Sequence, residues 1–259
     1  MRVVQCRSSI VTGTVVFQHG LGGGEDQVAQ YWPEATGLCR VTCPCPGHDG
    51  APLGLRRPFS IPHFAEDVLK STGAGVQFAA AGVSMGAAIA QYLACHHPHR
   101  VRSLILIRPA WCFSAAPANL RPIAEMAALL ADLPPADAAT AFRASPTGQR
   151  LAQDGPDNLT SILGYADRNC AAEFAEVLRD IVSGPAGVTE AEVAALHLPC
   201  LIVGTDDDII HPLFCAEALA RTIPNARFLK VTPKSAGRDA HHAEVRAAVA
   251  AFLSEHMWS

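Results

Sequence analysis

The chain has 259 residues, 49% of them hydrophobic, with 24 acidic against 20 basic side chains and a formal net charge of −4. That length fills one large domain with a sizeable core, and a near-neutral chain with a sequence pI of about 6.2 lacks the basic footprint of a nucleic-acid or anionic-membrane partner. It contains no run of about 18 apolar residues that would span a bilayer. The opening "MRVVQCRSSIVTG" lacks the charged start and apolar stretch of a secretory leader, so the expected setting is the cytoplasm.

In chain order, apolar runs rich in β-branched residues alternate with amphipathic stretches. "TVVFQ" (14–18) and "CRVTCP" (39–44) read as strands. "IPHFAEDVLKST" (61–72) sets Ile61, Phe64, Ala65, Val68 and Leu69 on one helical stripe. "VQFAAAGV" (76–83) is followed by "MGAAIAQYLACHH" (85–97), a helix that ends before Pro98, and then by the strand "RSLILI" (102–107). Between Pro109 and Leu198 strand signals stop, and alanine-rich helical stretches are punctuated by "LPPAD", "SPTG", "DGPDN" and "SGPAG". Two further strands, "CLIVG" (200–204) and "ARFLKV" (226–231), precede a last helix, "HAEVRAAVAAFLSEH", which aligns Val245, Val249 and Phe252. Strands buried on both faces and alternating with helices predict a mostly parallel, doubly wound α/β sheet flanked by helices. The expected division is a core of 1–109 and 198–259 with a helical cap over 110–197.

The nine cysteines are odd in number, lack paired C-x-x-C spacings and sit mostly in apolar runs. They read as reduced buried thiols in a cytosolic protein. Cys39, Cys43 and Cys45 with His48 could be imagined as a metal site, but the C-x-C spacing and the prolines argue against structural zinc.

"AAAGVSMGAAIA" joins a buried strand to an apolar helix through Gly82-Val83-Ser84-Met85-Gly86, the G-x-S-x-G pattern of a nucleophile elbow. Small residues on either side of Ser84 let the tight turn close, and the helix N-terminus favours developing negative charge there. Upstream, "HGLGGG" (His19 to Gly24) follows a strand and can turn backbone N–H groups toward an oxyanion. A phosphate cradle is the competing reading, but no Lys-Ser/Thr follows and the G-x-G-x-x-G spacing is missing. The N–H groups of Leu21 and Met85 are therefore the candidate oxyanion donors.

Together these stretches resemble the α/β-hydrolase fold superfamily over nearly the whole chain. The resemblance rests on "HGLGG" after that fold's third strand, "CPGHDGAP" in place of the usual R-G-H-G-x-S loop, "GVSMG", "HPHRVRSLILIRPA" and "GTDDDIIHP". It implies that the cap follows the sixth strand of that fold, here "RSLILI". It also implies the order nucleophile, acid, histidine. The resemblance also implies two strands before the oxyanion strand, but the roughly 13 residues that precede "TVVFQ" leave space for one strand, such as "RVVQC", or a tight hairpin.

Among the three aspartates at 206–208, family spacing admits Asp207 or Asp208, and Asp208, four residues before Pro212, is preferred. A calcium or magnesium site is the alternative for three acids, but adjacent residues point apart and no further ligand spacing supports it. His241 and His242 both follow the last strand; His241 lies on the stripe of Val245 and is preferred, with His242 in reserve. His211 and His63 read as loop and helix-start residues.

Ser84 argues against family members whose elbow nucleophile is aspartate. The resemblance implies a serine hydrolase of small-molecule esters or lactones, similar to esterases and enol-lactonases, with no cofactor and no metal. Arg108 and Arg121 are candidates for binding a substrate carboxylate. A carbon–carbon bond hydrolase of ring-cleavage products and a non-catalytic ligand-binding protein on the same fold are the alternatives, and homo-oligomer formation is left open.

Overall fold

A computed structural model describes residues 13–33 and 37–256. Six parallel strands form one sheet: β1 (Thr14–Gln18), β2 (Cys39–Val41), β3 (Phe78–Val83), β4 (Val101–Ile107), β5 (Cys200–Thr205) and β6 (Ala226–Val231), in the spatial order β2-β1-β3-β4-β5-β6. The order reverses at β1, so crossovers must run over both faces. The suggested "RVVQC" strand lies outside the described residues.

The alternation of side chains along each strand divides the core in two. On one face Val15, Phe17, Ala79, Ala81, Ile105, Leu201 and Val203 meet the last helix, α11 (Arg238–His256), through Val245, Val249, Phe252 and Leu253. On the other face Val16, Phe78, Ala80, Leu104, Leu106 and Ile202 meet α2 (Ile61–Ser71) and α3 (Met85–His96). Burying a Phe or Leu side chain fully is worth about 1.5–3 kcal/mol, so these two layers account for much of the drive to fold. Helix α3 is apolar nearly all round, as a helix covered on several sides should be. The small side chain of Ala80 on β3, on the face that α3 covers, lets it approach closely.

Between β4 and β5 stand α4 (Arg121–Asp132), α5 (Pro135–Ala144), α6 (Pro146–Asp154), α7 (Pro156–Leu163), α8 (Ala171–Ser183) and α9 (Glu190–Ala194), with no strand among them. Prolines in the first turns of α4 to α7 set the breaks, because proline suits a helix start and ends whatever precedes it. The other helices among the described residues are α1 (Glu25–Ala29), α10 (Leu213–Thr222) and a single 3-10 turn at Ala118–Leu120.

Cys39 is disulfide-bonded, contrary to the expectation of reduced thiols throughout, and the cytosolic setting inferred from those thiols loses that support. Cys43, Cys45, Cys95, Cys112, Cys170, Cys200 and Cys215 are free. Among the described residues no helix is long and apolar enough to cross a membrane, and no group of His, Cys, Asp and Glu side chains is placed to hold a metal ion.

Candidate active site

The carboxyl ends of β1, β3, β4 and β5 carry the polar residues singled out in the sequence. Ser84 follows β3 with φ 56° and ψ −114°, a left-handed conformation that is strained for any residue with a side chain. The turn is locked by Ser84 N–H donating to Ile107 O at 3.0 Å and by Ala87 N–H donating to Ser84 O at 3.0 Å. The two flanking glycines are required sterically. A Cβ at Gly82 would overlap the Gly86 carbonyl, and a Cβ at Gly86 would overlap the carbonyl oxygen of Gln18.

The glycine loop after β1 lies against this elbow, for a Cβ on Gly20 would stand 3.3 Å from Ser84 Cβ. It is held by Gly20 N–H donating to Gln27 Oε1 at 2.7 Å and Gly22 N–H donating to His48 Nε2 at 3.0 Å. His48 Nε2 accepts, so its proton is on Nδ1, facing Pro46 O at 2.9 Å. His19 has the same tautomer, with Cys45 N–H on Nε2 and Gly20 O at Nδ1. Burial lowers the proton affinity of both rings, and they stack 4.7 Å apart as neutral imidazoles. Thus "CPGHDG" braces the glycine loop through His48. Neither Leu21 N–H nor Met85 N–H has an acceptor among the described residues, and Met85, as the first residue of α3, has no acceptor within its helix.

The side chain that meets Ser84 is His211. Its Nε2 is 2.8 Å from Ser84 Oγ, and its Nδ1 is 2.9 and 3.0 Å from the two oxygens of Asp208. An unprotonated Nδ1 would set its lone pair against a carboxylate, so Nδ1 carries the proton and Nε2 accepts from the serine hydroxyl. His211 and Asp208 share one loop after β5, and His211 N–H also donates to Asp208 Oδ1 at 3.1 Å. His241, expected opposite Ser84, sits elsewhere. It is fully buried in the first turn of α11, where its Nδ1 meets Thr232 O at 2.8 Å, its ring stands edge-on to Tyr31, and its Nε2 has no partner. The carbonyl at the end of β6 and the apolar packing of α11 hold it there, and burial lowers its pKa to about 4. His242 packs edge-on to Tyr31 as well, with Nε2 unpartnered.

The three aspartates have three different surroundings. Asp206 pairs with Lys230 on β6. Asp207 is exposed in a left-handed turn (φ 52°) and accepts from Ser235 Oγ at 3.3 Å. Asp208 is buried, with Oδ2 accepting from Arg108 Nε at 2.7 Å and from Nη2, and Oδ1 accepting from Asn158 Nδ2 at 2.9 Å. Burial alone would push its pKa up, but Arg108, His211 and these hydrogen bonds outweigh it and hold the carboxyl well below the usual range. Arg108, a candidate for substrate binding, is therefore occupied by Asp208. Arg121 is exposed at the start of α4.

The helices between β4 and β5 reach both halves of the site. Asn158 on α7 bonds Asp208 and accepts from Ile209 N–H at 2.8 Å. After α7, Tyr165 Oη donates to Leu21 O at 3.3 Å, and Arg168 donates to Gly22 O at 2.9 Å and to Gly47 O at 2.6 Å. Asn158, Tyr165 and Arg168 carry no signal in the sequence. His211 carries one: a residue three positions after an acid in a turn can fold back onto that acid.

The model of the Alpha/beta hydrolase family matches residues 15–252. The chain belongs to that family. Its fold is similar to that of MenH from S. aureus, at 16% identity and TM-score 0.71, over 95% of each chain. It also resembles a thermophilic esterase from Thermogutta terrifontis (18% identity, TM-score 0.66, 96% of this chain and 89% of that one). The enol-lactonase from Burkholderia xenovorans LB400 is similar too, at 18% identity and TM-score 0.64, over 94% of this chain and 89% of that one. A comparison with curated proteins finds no match. At these identities the likeness establishes the fold and leaves the chemistry to the residues of this α/β hydrolase.

Proposed function

We propose that this α/β hydrolase cleaves small-molecule esters or lactones through a Ser84–His211–Asp208 triad. The observation that carries this reading is the continuous hydrogen-bonded path from Ser84 Oγ through the His211 ring to Asp208. A serine hydroxyl is a poor nucleophile until a neighbouring base takes its proton. Here Ser84 Oγ attacks the carbonyl carbon as His211 Nε2 accepts the hydroxyl proton, and Asp208 stabilises the imidazolium that results. The oxyanion takes up the free N–H groups of Leu21 and Met85, where fixed donors act without reorganising. Collapse of the intermediate expels the alcohol or enol, which receives the proton from Nε2. Water, deprotonated by the same nitrogen, then releases the acid and restores Ser84.

The inserted helices serve as a cap: Asn158, Tyr165 and Arg168 join them to the acid loop and the oxyanion loop. With Arg108 bound to Asp208 and Arg121 exposed, neither supports a requirement for an anionic substrate. Incubation with a fluorophosphonate and peptide mapping tests the reading, together with turnover of p-nitrophenyl acetate and a lactone panel. Ser84 is the expected modified residue and Ser84→Ala the inactive control; a folded protein that neither labels nor turns over any of these would sink it.

A further inference from the structure

Arg108 is the least expected neighbour of the triad. It follows β4 in a left-handed conformation (φ 49°), is buried, and is fixed by its N–H donating to Val203 O at 2.8 Å. A side chain held in that backbone region persists only where its surroundings over-determine it. Its Nε and Nη2 both donate to Asp208 Oδ2, and Nη2 also stands 3.1 Å from His211 Nδ1. Asp208 Oδ1 accepts from His211 N–H and Asn158, and the His211 ring nitrogen Nδ1 faces both oxygens, at 2.9 and 3.0 Å.

We infer that Arg108 is a positioning residue of the site, which by forking onto Oδ2 fixes the face that Asp208 shows to His211 and offsets part of its charge. In a triad without such a cation the carboxylate's whole field falls on the imidazole and raises its basicity. Here the imidazolium formed during acyl transfer meets a carboxylate already paired, with a guanidinium nitrogen beside it. His211 becomes a weaker base and a stronger acid, suited to returning its proton to the leaving group. The groups facing His211 are Asp208 of its own loop, the Ser84 hydroxyl of the elbow, Arg108 after β4 and Lys234 after β6. Burial, Arg108 and Lys234 lower its pKa, and Asp208 opposes them.

The inference rests on the triad reading, so its test needs a readout independent of turnover. The His211 ring, assigned by its absence in His211→Asn, is titrated by NMR. In the wild-type protein the midpoint is expected below 6.5. In Arg108→Gln it should rise by about one pH unit, and the acid limb of kcat/KM for a p-nitrophenyl ester should rise with it. Arg108→Lys, which keeps the charge and loses the fork, should leave the midpoint near wild type while kcat falls. A folded Arg108→Gln with an unmoved midpoint overturns the inference. So does a wild-type midpoint of about 7 or higher, which decides the matter even if both variants fail to fold. If Ser84 proves not to be a nucleophile, the NMR titration still judges Arg108 by itself.

Discussion

Ser84 Oγ and His211 Nε2 lie 2.8 Å apart across 127 positions of sequence, while His241 is bonded to Thr232 O. His211→Ala should therefore lose activity about as fully as Ser84→Ala, on the order of 10⁴-fold or more in kcat, with the double variant little worse because the residues act as a unit. His241→Gln should stay within about tenfold of wild type. Steady-state kinetics on one chromogenic ester decides between them; the opposite ranking would assign the base to His241.

Asp208→Asn should lower kcat by about 10⁴-fold, because an amide no longer selects the tautomer with the proton on Nδ1. It also leaves Arg108 buried without its counter-charge, a loss of about 3–5 kcal/mol that a denaturant melt would register. Asp207→Asn should change kcat less than about threefold, since asparagine tolerates the exposed left-handed turn that Asp207 occupies.

Gly86→Ala tests the elbow. The added methyl meets Gln18 O and His19 O, both rigid backbone at the end of β1. Overpacking of this kind costs about 1–3 kcal/mol, and the shift it forces would displace the Leu21 and Met85 donors together. The expected result is a lower melting temperature with a fall in kcat larger than the change in KM. A variant with wild-type melting and kcat would show that the strands relax freely there.

Asn158→Ala removes the donor that α7 gives Asp208 and its acceptor for Ile209 N–H. Leaving buried polar groups unpaired costs about 1–3 kcal/mol, and the freed acid loop should lower kcat by roughly tenfold. Unchanged kcat with a raised KM would instead limit α7 to holding substrate.

Acidity should act on rate and stability in the same direction. His211 must be neutral to accept the serine proton, and its pKa is depressed, so the acid limb of kcat/KM should fall below pH 6.5. A depressed histidine favours folding above its unfolded pKa and loses that contribution as pH falls toward its folded value. For His241 the window runs from 6.5 down to about 4. Asp208, also depressed, loses its contribution at lower pH, as pH falls from 3.8 through its folded value. Melting temperature should decline from about pH 6.5 downward, a decline that His241→Gln should make shallower.

The sheet, the elbow and the helical insertion were legible because each depends on local chemistry. Continuous apolar runs such as 104–107 belong to strands covered on both faces, Gly82 is forced by a contact within its own turn, and the prolines of 122–156 break helices wherever they occur. The choice of Asp208 also came from spacing along one loop. The partner of Ser84 did not, because the family order points to a histidine after the last strand, and only packing ranks His241 and His242 against His211. Thr232 O captures His241, and the turn after β5 folds His211 back over its own acid. Arg108 and Asn158 arrive from β4 and α7, elements remote in the chain, to fix Asp208 between them. By itself the sequence determined the family, the elbow that presents Ser84 and the loop of three aspartates; the tertiary structure decided which histidine and which neighbours meet there, because desolvated hydrogen bonds select partners by position in space.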